Sequence, residues 1–405
     1  FFVEDWVKPF GVIFINSLKL IAVPLIVVSL ITGIAELKDI SKISKIGGKT
    51  LVFYLFTTAI AVSLGLILAN LIQPGTFVSA EAGAQLLDTF KDDVSNKILQ
   101  ADAHKNTGPL QPLVDIVPDN FFRALTDNGS MLQVIFFSVL IGIGIILIKP
   151  EDSKPVVGFF KGMNEIILKI IDLIMLTAPY GVFALLAALM VEIPDSSILT
   201  GLLAYALTVV LGLAILIVLF YSSIYYLFTK RSPWKFYKRI LPAQLLAFST
   251  SSSAATLPVT MERVIEHVGV DDEVASFVLP LGATINMDGT AIYQAIAAIF
   301  IAQVMSIDLT LGQQLMIILT ATLASIGSAA VPSAGMVMLV IVLGQAGIPE
   351  AGLALIFAVD RPLDMLRTVV NVTSDATVAV VIAKTEGLLH DPEIKNWDDN
   401  YAQNN

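Results

Sequence analysis

Long apolar segments, each close to the length needed to cross a bilayer, recur along the chain between polar connections. Five of them read VIFINSLKLIAVPLIVVSLITGI, LVFYLFTTAIAVSLGLILANLI, MLQVIFFSVLIGIGIILI, LLAYALTVVLGLAILIVLFYSSIYYLF and LGQQLMIILTATLASIG. A membrane-spanning helix needs about 20 mostly apolar residues. The strands of a membrane β-barrel would instead show short segments of alternating polarity. The pattern therefore predicts an all-α polytopic membrane protein.

The apolar pattern changes after about residue 232, where small and polar residues interrupt the segments. The four interruptions are STSSSAATLP, LGATINMDGT, SIGSAAVPSAG and DRPLDMLRTVVNVTSD. Irregular backbone at membrane depth is stable only where protein or a water-filled cavity satisfies its peptide groups. These interruptions predict a substrate site built from broken helices and re-entrant hairpins.

Two of the interruptions share one design, an apolar run, a serine-rich turn with proline, and a second apolar run. They predict re-entrant helical hairpins near 234–265 and 310–345, on either side of the TINMDGT segment, which suggests an inverted repeat. The alternative is two kinked helices that each cross the membrane completely.

Composition and charge narrow the class of protein further. Of the 405 residues, 56% are hydrophobic and only 14% are charged, whereas a soluble domain carries about 25% charged residues. Basic residues cluster at 38–49 and 230–239, so the positive-inside rule places both connections in the cytoplasm. The polar insert at 73–119 is rich in acidic residues, which predicts an external loop. The absence of cysteine excludes disulfides and thiolate metal sites.

The segment DMLRTVVNVTSD places ionisable groups inside an apolar run. On a helix, one face would carry Asp364, Arg367, Thr368, Asn371 and Asp375. An ionisable side chain at mid-membrane costs at least about 2.5–3.5 kcal/mol, so this face must meet a partner. One interpretation is an internal ion pair that locks the fold. The other is a ligand-facing stripe, in which Arg367 binds a carboxylate and Asp364 an ammonium group, as an amino acid would require.

The segment GATINMDGT at 282–290 combines residues that break a helix and free its carbonyl groups. Asn286 and Asp288 add hard oxygen ligands, and Asn371 and Asp375 are placed to complete such a set from another helix. Oxygen-only coordination suits a hard cation, and unwound carbonyls in transporters commonly hold Na⁺. The alternative is a plain turn between two helices.

The two serine-rich hairpin tips combine small residues, hydroxyls and free N–H groups, which suit an anion cradle or a gate. Close helix packing is the alternative role for such residues. A serine nucleophile is excluded, because no histidine or matched lysine lies in these segments to act as its base.

Four motifs now carry a family resemblance: SSSAATLP, LPLGATINMDGTAIYQ, ASIGSAAVPSAG and DMLRTVVNVTSD. In this order they resemble the dicarboxylate/amino acid:cation symporter family, which contains the excitatory amino acid transporters and prokaryotic sodium–aspartate symporters. The similarity extends from about residue 9 to about residue 386, and the family's first transmembrane helix is expected to be missing from this sequence.

The resemblance implies the glutamate-transporter fold, in a homotrimer of protomers that each work by an elevator movement. The scaffold would comprise 1–48 and 118–195, with an extracellular loop at 74–117. The transport domain would comprise 49–73 and 196–390, followed by a polar cytoplasmic tail at 391–405. The protein would lie in the plasma (inner) membrane with both termini in the cytoplasm.

The resemblance also assigns residues to the substrate. Arg367 would bind the side-chain carboxylate of L-aspartate or L-glutamate, and Asp364 would bind the amino group. The remaining substrate contacts would come from Ser251, Ser253, Thr290, Val331, Gly335, Thr368 and Asn371.

About three sodium ions per substrate are implied in the same way. The first would use carbonyls of Gly282, Asn286 and Asn371 and the Asp375 carboxylate. The second would use carbonyls of Thr284, Ser325, Ile326 and Ser328, beside Met287. The third would use Tyr54, Thr57, Thr58, Asn286 and Asp288.

Individual residues distinguish branches of that family. The presence of Arg367 favours an acidic substrate, and Gln294 stands where proton- and potassium-coupled animal members carry a titratable glutamate. The NMDGT form also resembles the sodium-coupled branch. Ala254 and Ala330 replace a common serine and a common glycine, which affects the expected gating more than the site chemistry.

The leading hypothesis is therefore a sodium-coupled symporter of acidic amino acids and not an enzyme. A proton-coupled glutamate or dicarboxylate carrier is the first alternative. An anion-conducting channel is the second, although a channel would be expected to show a continuous polar lining.

Overall fold

The computed structural model is helical throughout the residues it describes, which are 2–36, 44–79, 81–82, 85, 117–126, 131–192, 195–326 and 334–392. The helices are α1 Lys8–Glu36, α2 Ser44–Ile72, α3 Phe121–Leu125, α4 Met131–Leu147, α5 Pro150–Leu176, α6 Ala178–Glu192, α7 Ser197–Thr229, α8 Pro233–Thr250, α9 Ser253–Glu262, α10 Asp272–Ile285, α11 Asp288–Val304, α12 Leu311–Ile326, α13 Ala334–Ala346 and α14 Leu353–Glu386. Within this part of the chain no β-strand forms, as the apolar pattern predicts.

Four helical stretches are long and apolar enough to cross a membrane. They are Ile46–Phe77, Ser197–Thr229, Asp272–Val304 and Leu353–Glu386. Two of the expected apolar segments, at 51–72 and 202–228, lie within these stretches. The expected segments at 131–148 and 311–327 form the shorter helices α4 and α12, which have 17 and 16 residues.

Contacts between helices divide the chain into two groups. Helix α1 packs mainly against α4, α5 and α6, while α2 packs mainly against α11 and α12; contacts of α1 with α13 and of α6 with α14 join the two groups. Helix α11 is mostly apolar beyond its first two turns, and all of its residues except Gln303 are buried. A helix that is hydrophobic all round belongs in the centre of a large core. Helix α11 therefore forms the axis around which α2, α7, α12 and α14 pack.

Two of the predicted interruptions are confirmed as breaks in the helices. Helix α10 ends at Ile285 and α11 begins at Asp288, so Asn286 and Met287 have non-helical backbone. At the first serine-rich turn, helix α8 ends and Ser251 has a left-handed backbone conformation with a φ of 50°. Helices α8 and α9, which flank that turn, pack against each other, as do α12 and α13.

The fourth interruption is an unbroken helix, as the helical spacing of its polar residues predicts, so the irregular backbone expected of the four interruptions as a group is wrong for this one. Helix α14 runs for 34 residues without a break through the charged segment, with Pro362 inside it. Asp364 and Arg367 pair at i and i+3 along this helix, and such a pair supports an unbroken helix.

The third interruption, the tip of the second hairpin at 327–333, lies outside the described residues. The same is true of most of the predicted loop at 74–117 and of residues 393–405 in the predicted tail.

Close contact between α2 and α11 depends on Gly65. A Cβ atom built there would lie 2.8 Å from the carbonyl oxygen of Ile292 and 3.0 Å from Cβ of Ala295. We expect Gly65→Ala to lower the free energy of unfolding by about 1–3 kcal/mol, because backbone atoms of a central helix must move. Thermal unfolding of the purified protein in detergent measures the loss.

Gly158→Ala is the matched control, because a Cβ atom at Gly158 in α5 meets nothing within 4 Å. This change should raise the free energy of unfolding by about 0.5–1 kcal/mol through helix propensity. Equal effects of the two substitutions would contradict the packing role of Gly65.

Candidate functional site

Helix α14 carries a stripe of polar side chains that is buried inside the protein. The stripe comprises Asp360, Asp364, Arg367, Thr368, Asn371 and Asp375, each no more than 6% exposed. The expectation that these residues share one protected face is therefore met. Arg367 is fully buried, which is rare for arginine and requires compensation by neighbouring groups.

Two carboxylates and an aromatic ring hold the Arg367 guanidinium. Its Nη2 atom lies 2.7 Å from Oδ1 of Asp364 and 3.2 Å from Oδ1 of Asp360. Its Cζ atom lies 3.8 Å from the ring centroid of Tyr293 on α11, in cation–π contact. The internal ion pair that the helical spacing suggested is thus formed, although all of the carboxylate contacts are made by one nitrogen.

The rest of the guanidinium is buried without a hydrogen-bond partner. Among the described residues, neither Nε nor Nη1 of Arg367 meets an acceptor. A buried donor without a partner costs about 1–3 kcal/mol, more when it is charged. These donors make this side of the guanidinium a candidate binding position for an acceptor.

The start of α13 lies over these donors. A Cβ atom at Gly335 would lie 3.4 Å from Nη1 of Arg367 and 2.7 Å from Cγ2 of Thr290. Gln294 donates a hydrogen bond of 3.2 Å from Nε2 to the Gly335 carbonyl. The second hairpin therefore approaches the arginine through a glycine, and Thr290 and Gly335 are brought to it as expected. Val331 lies outside the described residues.

Asn371 joins α14 to the break between α10 and α11. Its Oδ1 accepts a hydrogen bond of 2.8 Å from the backbone N–H of Gly289, and its Nδ2 lies 3.5 Å from Oγ1 of Thr290. The neighbouring Thr368 bonds instead to the Asp364 carbonyl of its own helix at 2.9 Å. Asn371 is thus the residue that connects the arginine region with the broken helix.

The first serine-rich turn supplies two further expected residues. Ser251 is buried, and its Oγ has no partner among the described residues. Ser253 is buried as the first residue of α9, and both α8 and α9 pack against α14.

A second carboxylate centre lies beside the helix break, at Asp288. Its Oδ1 accepts from Oγ1 of Thr58 at 2.6 Å, and its Oδ2 accepts from Tyr221 OH at 2.6 Å and from Oγ of Ser374 at 2.7 Å. Thr58 was expected at this position. Tyr221 and Ser374 were not expected. Tyr221 lies in an apolar span that contains no motif. Ser374 lies within the motif DMLRTVVNVTSD, next to Asp375, and that position was the one signal for it.

Asp375 forms the neighbouring centre with four other expected residues. Nδ2 of Asn286 donates to Oδ1 of Asp375 at 2.8 Å, and Oδ1 of Asn286 lies 3.4 Å from Oγ1 of Thr57. A Cβ atom at Gly282 would meet both Oδ1 of Asp375 and the Tyr54 hydroxyl. Asp288 and Asp375 thus lie in one network, whose oxygen ligands suit a hard cation.

The residues expected around a second ion have fewer side-chain hydrogen bonds to one another than those around Asp288 and Asp375. The hydroxyls of Thr284 and Ser325 each bond a carbonyl of their own helix, at 3.0 Å and 2.8 Å. Met287 is buried at the helix break, Ile326 ends α12, and α10 packs against α12. Ser328 lies outside the described residues.

Buried charges between long apolar helices, around a broken helix, define a membrane transport protein rather than a soluble binding domain. Comparison with known proteins gives the family. The family model for the sodium:dicarboxylate symporter family matches residues 3–385. The chain belongs to this family, and the resemblance seen in its motifs is confirmed.

Curated relatives match over almost the whole chain. The proton/sodium-glutamate symport protein of Bacillus subtilis is 39% identical over 95% of this chain and 87% of its own length. The proton/glutamate-aspartate symporter of Escherichia coli is 36% identical over 95% and 87%. Human excitatory amino acid transporter 3 is 37% identical over 92% and 78%.

The ion pair makes a prediction about stability. Replacing Arg367 by leucine leaves the buried Asp360 without a cation and leaves Asp364 with only the exposed Arg361, 3.6 Å away. We expect a loss of about 3–5 kcal/mol in the free energy of unfolding. Asp360→Asn is the matched variant, because it leaves one carboxylate for one guanidinium and should cost far less. Reversible unfolding in mixed micelles, without substrate, compares the two. Equal stability of Arg367→Leu and the wild type would contradict the ion pair.

Proposed function

We propose that this protein is a sodium-coupled symporter of acidic amino acids, L-aspartate or L-glutamate. The observation that carries the proposal is the pair of buried donors on Arg367, beside Gly335 and Thr290, that meet no acceptor in the described part of the chain. A carboxylate is the acceptor that a guanidinium binds most strongly. The printed names of the relatives, which include glutamate and aspartate symporters, support the same substrate class.

Each polar group near Arg367 takes a role in holding the substrate. The guanidinium binds the side-chain carboxylate, while Asp364 on the next turn receives the amino group. Further contacts come from Thr290, Thr368 and Asn371, and from Ser251, Ser253, Val331 and Gly335 at the hairpins. Gly335 leaves the space that a ligand needs, since a side chain there would approach Nη1.

Charge balance supports coupling to cations. Among the described residues, the site buries four carboxylates, on Asp288, Asp360, Asp364 and Asp375, against one buried guanidinium, that of Arg367. The exposed Arg361 lies 3.6 Å from Asp364. Burying so much negative charge is costly unless a cation or a proton neutralises it. Acidic substrate adds to this excess, so its binding should require cations. Three sodium ions would occupy the three sets of ligands that the resemblance assigns.

Substrate and cation are coupled through shared residues. Asn371 bonds both Gly289 at the helix break and Thr290 near Arg367. A cation that orders this asparagine also orders the substrate pocket, so each ligand should raise the affinity for the other by the same factor.

Sodium is favoured over protons by Gln294, which is fully buried and donates to the Gly335 carbonyl. A glutamine cannot titrate, so a carboxylic acid that could carry a proton is missing at this position. A proton-coupled carrier is the second candidate, because two relatives have names that include protons.

The transport movement is proposed to be an elevator within a homotrimer. The two groups of packed helices support a division into a scaffold (1–48 and 118–195) and a transport domain (49–73 and 196–390). The basic connections at 38–49 and 230–239 orient the chain in the inner membrane with cytoplasmic termini.

Uptake of radiolabelled L-aspartate into proteoliposomes tests the proposal. We expect uptake with an inward sodium gradient and none with an inward proton gradient in choline. Uptake driven by protons alone would establish the second candidate and overturn the sodium sites. Aspartate-independent anion current without saturable uptake would favour a channel.

Arg367→Lys tests the role of the arginine while keeping its charge. Lysine lacks the planar fork, so the affinity for aspartate should fall by at least about tenfold, equivalent to about 1.4 kcal/mol. Calorimetric titration at saturating sodium measures it. Arg231→Lys, at a site that bonds the His390 carbonyl instead, is the control and should bind normally. Unchanged affinity in Arg367→Lys would remove the arginine from the pocket.

A further inference from the structure

Tyr221 is a fully buried residue that the sequence motifs do not include and that the expected cation ligands do not require. Its hydroxyl lies 2.6 Å from Oδ2 of Asp288. A carboxylate oxygen only accepts hydrogen bonds, so the tyrosine must donate its single proton to Asp288. We propose that Tyr221 is a positioning residue that makes Asp288 offer one oxygen atom, Oδ1, to a transported cation. The inference rests on the proposed sodium-coupled function.

The two oxygen atoms of the Asp288 carboxylate differ in how many hydrogen bonds they accept. A carboxylate oxygen has about two lone-pair positions. At Oδ2 of Asp288 both are used, by Tyr221 at 2.6 Å and by Ser374 at 2.7 Å. At Oδ1, Thr58 is the one donor within 3.5 Å among the described residues, at 2.6 Å, which leaves one position for a further ligand. The three donors also fix the plane of the carboxylate, so the free position points in one direction.

The free position is on Oδ1 of Asp288, and the hydroxyl of Thr58, which donates to Oδ1, can bind a cation as well. The Thr58 hydroxyl donates its proton to Oδ1 and keeps its own lone pairs, so both oxygens can coordinate one ion. Tyr221 has a different role, because its hydroxyl is directed at the opposite oxygen. Loss of that hydroxyl would free a position at Oδ2 and allow the carboxylate to turn.

The backbone around Tyr221 is built to hold it in this position. Residues Leu216–Tyr221 form a π-helical turn within α7, and Tyr221 is the last residue of the turn. A π turn changes the direction of the side chains that follow it, and such turns are frequent at functional sites. The Ile217 carbonyl accepts hydrogen bonds from the hydroxyls of Ser222 and Tyr237, at 3.1 Å and 2.6 Å. Helix α8 therefore stabilises the turn that presents Tyr221.

Tyr221→Phe tests the inference, because it removes one hydroxyl and keeps the packed ring. The full chain is purified in detergent without substrate, and sodium chloride replaces choline chloride at constant ionic strength. The midpoint of thermal unfolding is recorded at each sodium concentration. We expect the half-saturating sodium concentration to rise about ten- to hundredfold, as when a residue that orients a metal ligand is lost. The affinity for aspartate at saturating sodium should stay unchanged.

Two further variants make the result decisive. Tyr225→Phe removes a hydroxyl from a buried tyrosine one turn further along α7 and should keep the wild-type sodium curve. Ser374→Ala removes the other donor to Oδ2 and should shift the curve in the same direction as Tyr221→Phe. It decides the question if Tyr221→Phe does not fold.

Each remaining outcome has a defined meaning. Wild-type sodium curves for the Tyr221 and Ser374 variants would overturn the positioning role alone. A loss of aspartate affinity by the same factor as sodium affinity would assign Tyr221 to the substrate pocket and overturn the inference too. A wild-type protein that does not respond to sodium would overturn the proposed function and this inference together.

Discussion

Negative charge buried among apolar helices is the constraint on which the rest of the site depends. Asp360 and Asp364 share the buried guanidinium of Arg367, and the exposed Arg361 lies 3.6 Å from Asp364. Asp288 and Asp375 lie at the helix break with hydroxyl and amide donors. In a low-dielectric interior, hydrogen bonds reduce the cost of burying a carboxylate but do not cancel its charge. The protein without ligands is therefore poised to take up positive charge.

The break between α10 and α11 follows from the same constraint. The break at Asn286 and Met287 lets the Asn286 side chain donate to Asp375 at 2.8 Å and to Ser374 at 2.9 Å. Placing this break at the centre of the core requires a wall that excludes lipid and water. Helix α11, buried along nearly its whole length, provides that wall together with α2 and α7.

Much of this arrangement could be predicted from the sequence, because the signals were local. Helical spacing in DMLRTVVNVTSD placed Asp364, Arg367 and Asn371 on one face, and the NMDGT residues placed the break correctly. The prediction that the charged segment itself interrupts a helix was wrong, since polarity and helix breaking are separate properties. Charged side chains that pair at i and i+3 stabilise a helix. Their low hydrophobicity therefore does not predict a break in that helix.

Contacts between distant segments could not be predicted in this way. Tyr221 lies 67 residues from Asp288 in an apolar span, and no local pattern distinguishes it from Tyr225 or Tyr226. Asp360 is close to the motif, but its contact with Arg367 depends on the rotamers of both side chains. Tyr293 stacks on the same guanidinium only because α11 crosses α14 at that depth. The contacts of such residues depend on how the helices pack, and a single sequence does not show which helices pack together.

Neutral residues join the arginine region, with Asp360 and Asp364, to the helix break, with Asp288 and Asp375. These neutral links determine how substrate and cation can affect each other. Asn371 connects the break to Thr290, and Ser374 connects Asp288 to Asn286. Neutral hydrogen-bonding groups transmit orientation without adding charge. In the proposed symport, a cation at Asp288 or Asp375 would order the pocket around Arg367 while the substrate stayed separate from the ion. A direct ion pair between substrate and cation would bind both more tightly but would also slow their release. Coupling through asparagine and serine would keep the mutual dependence and allow both ligands to leave.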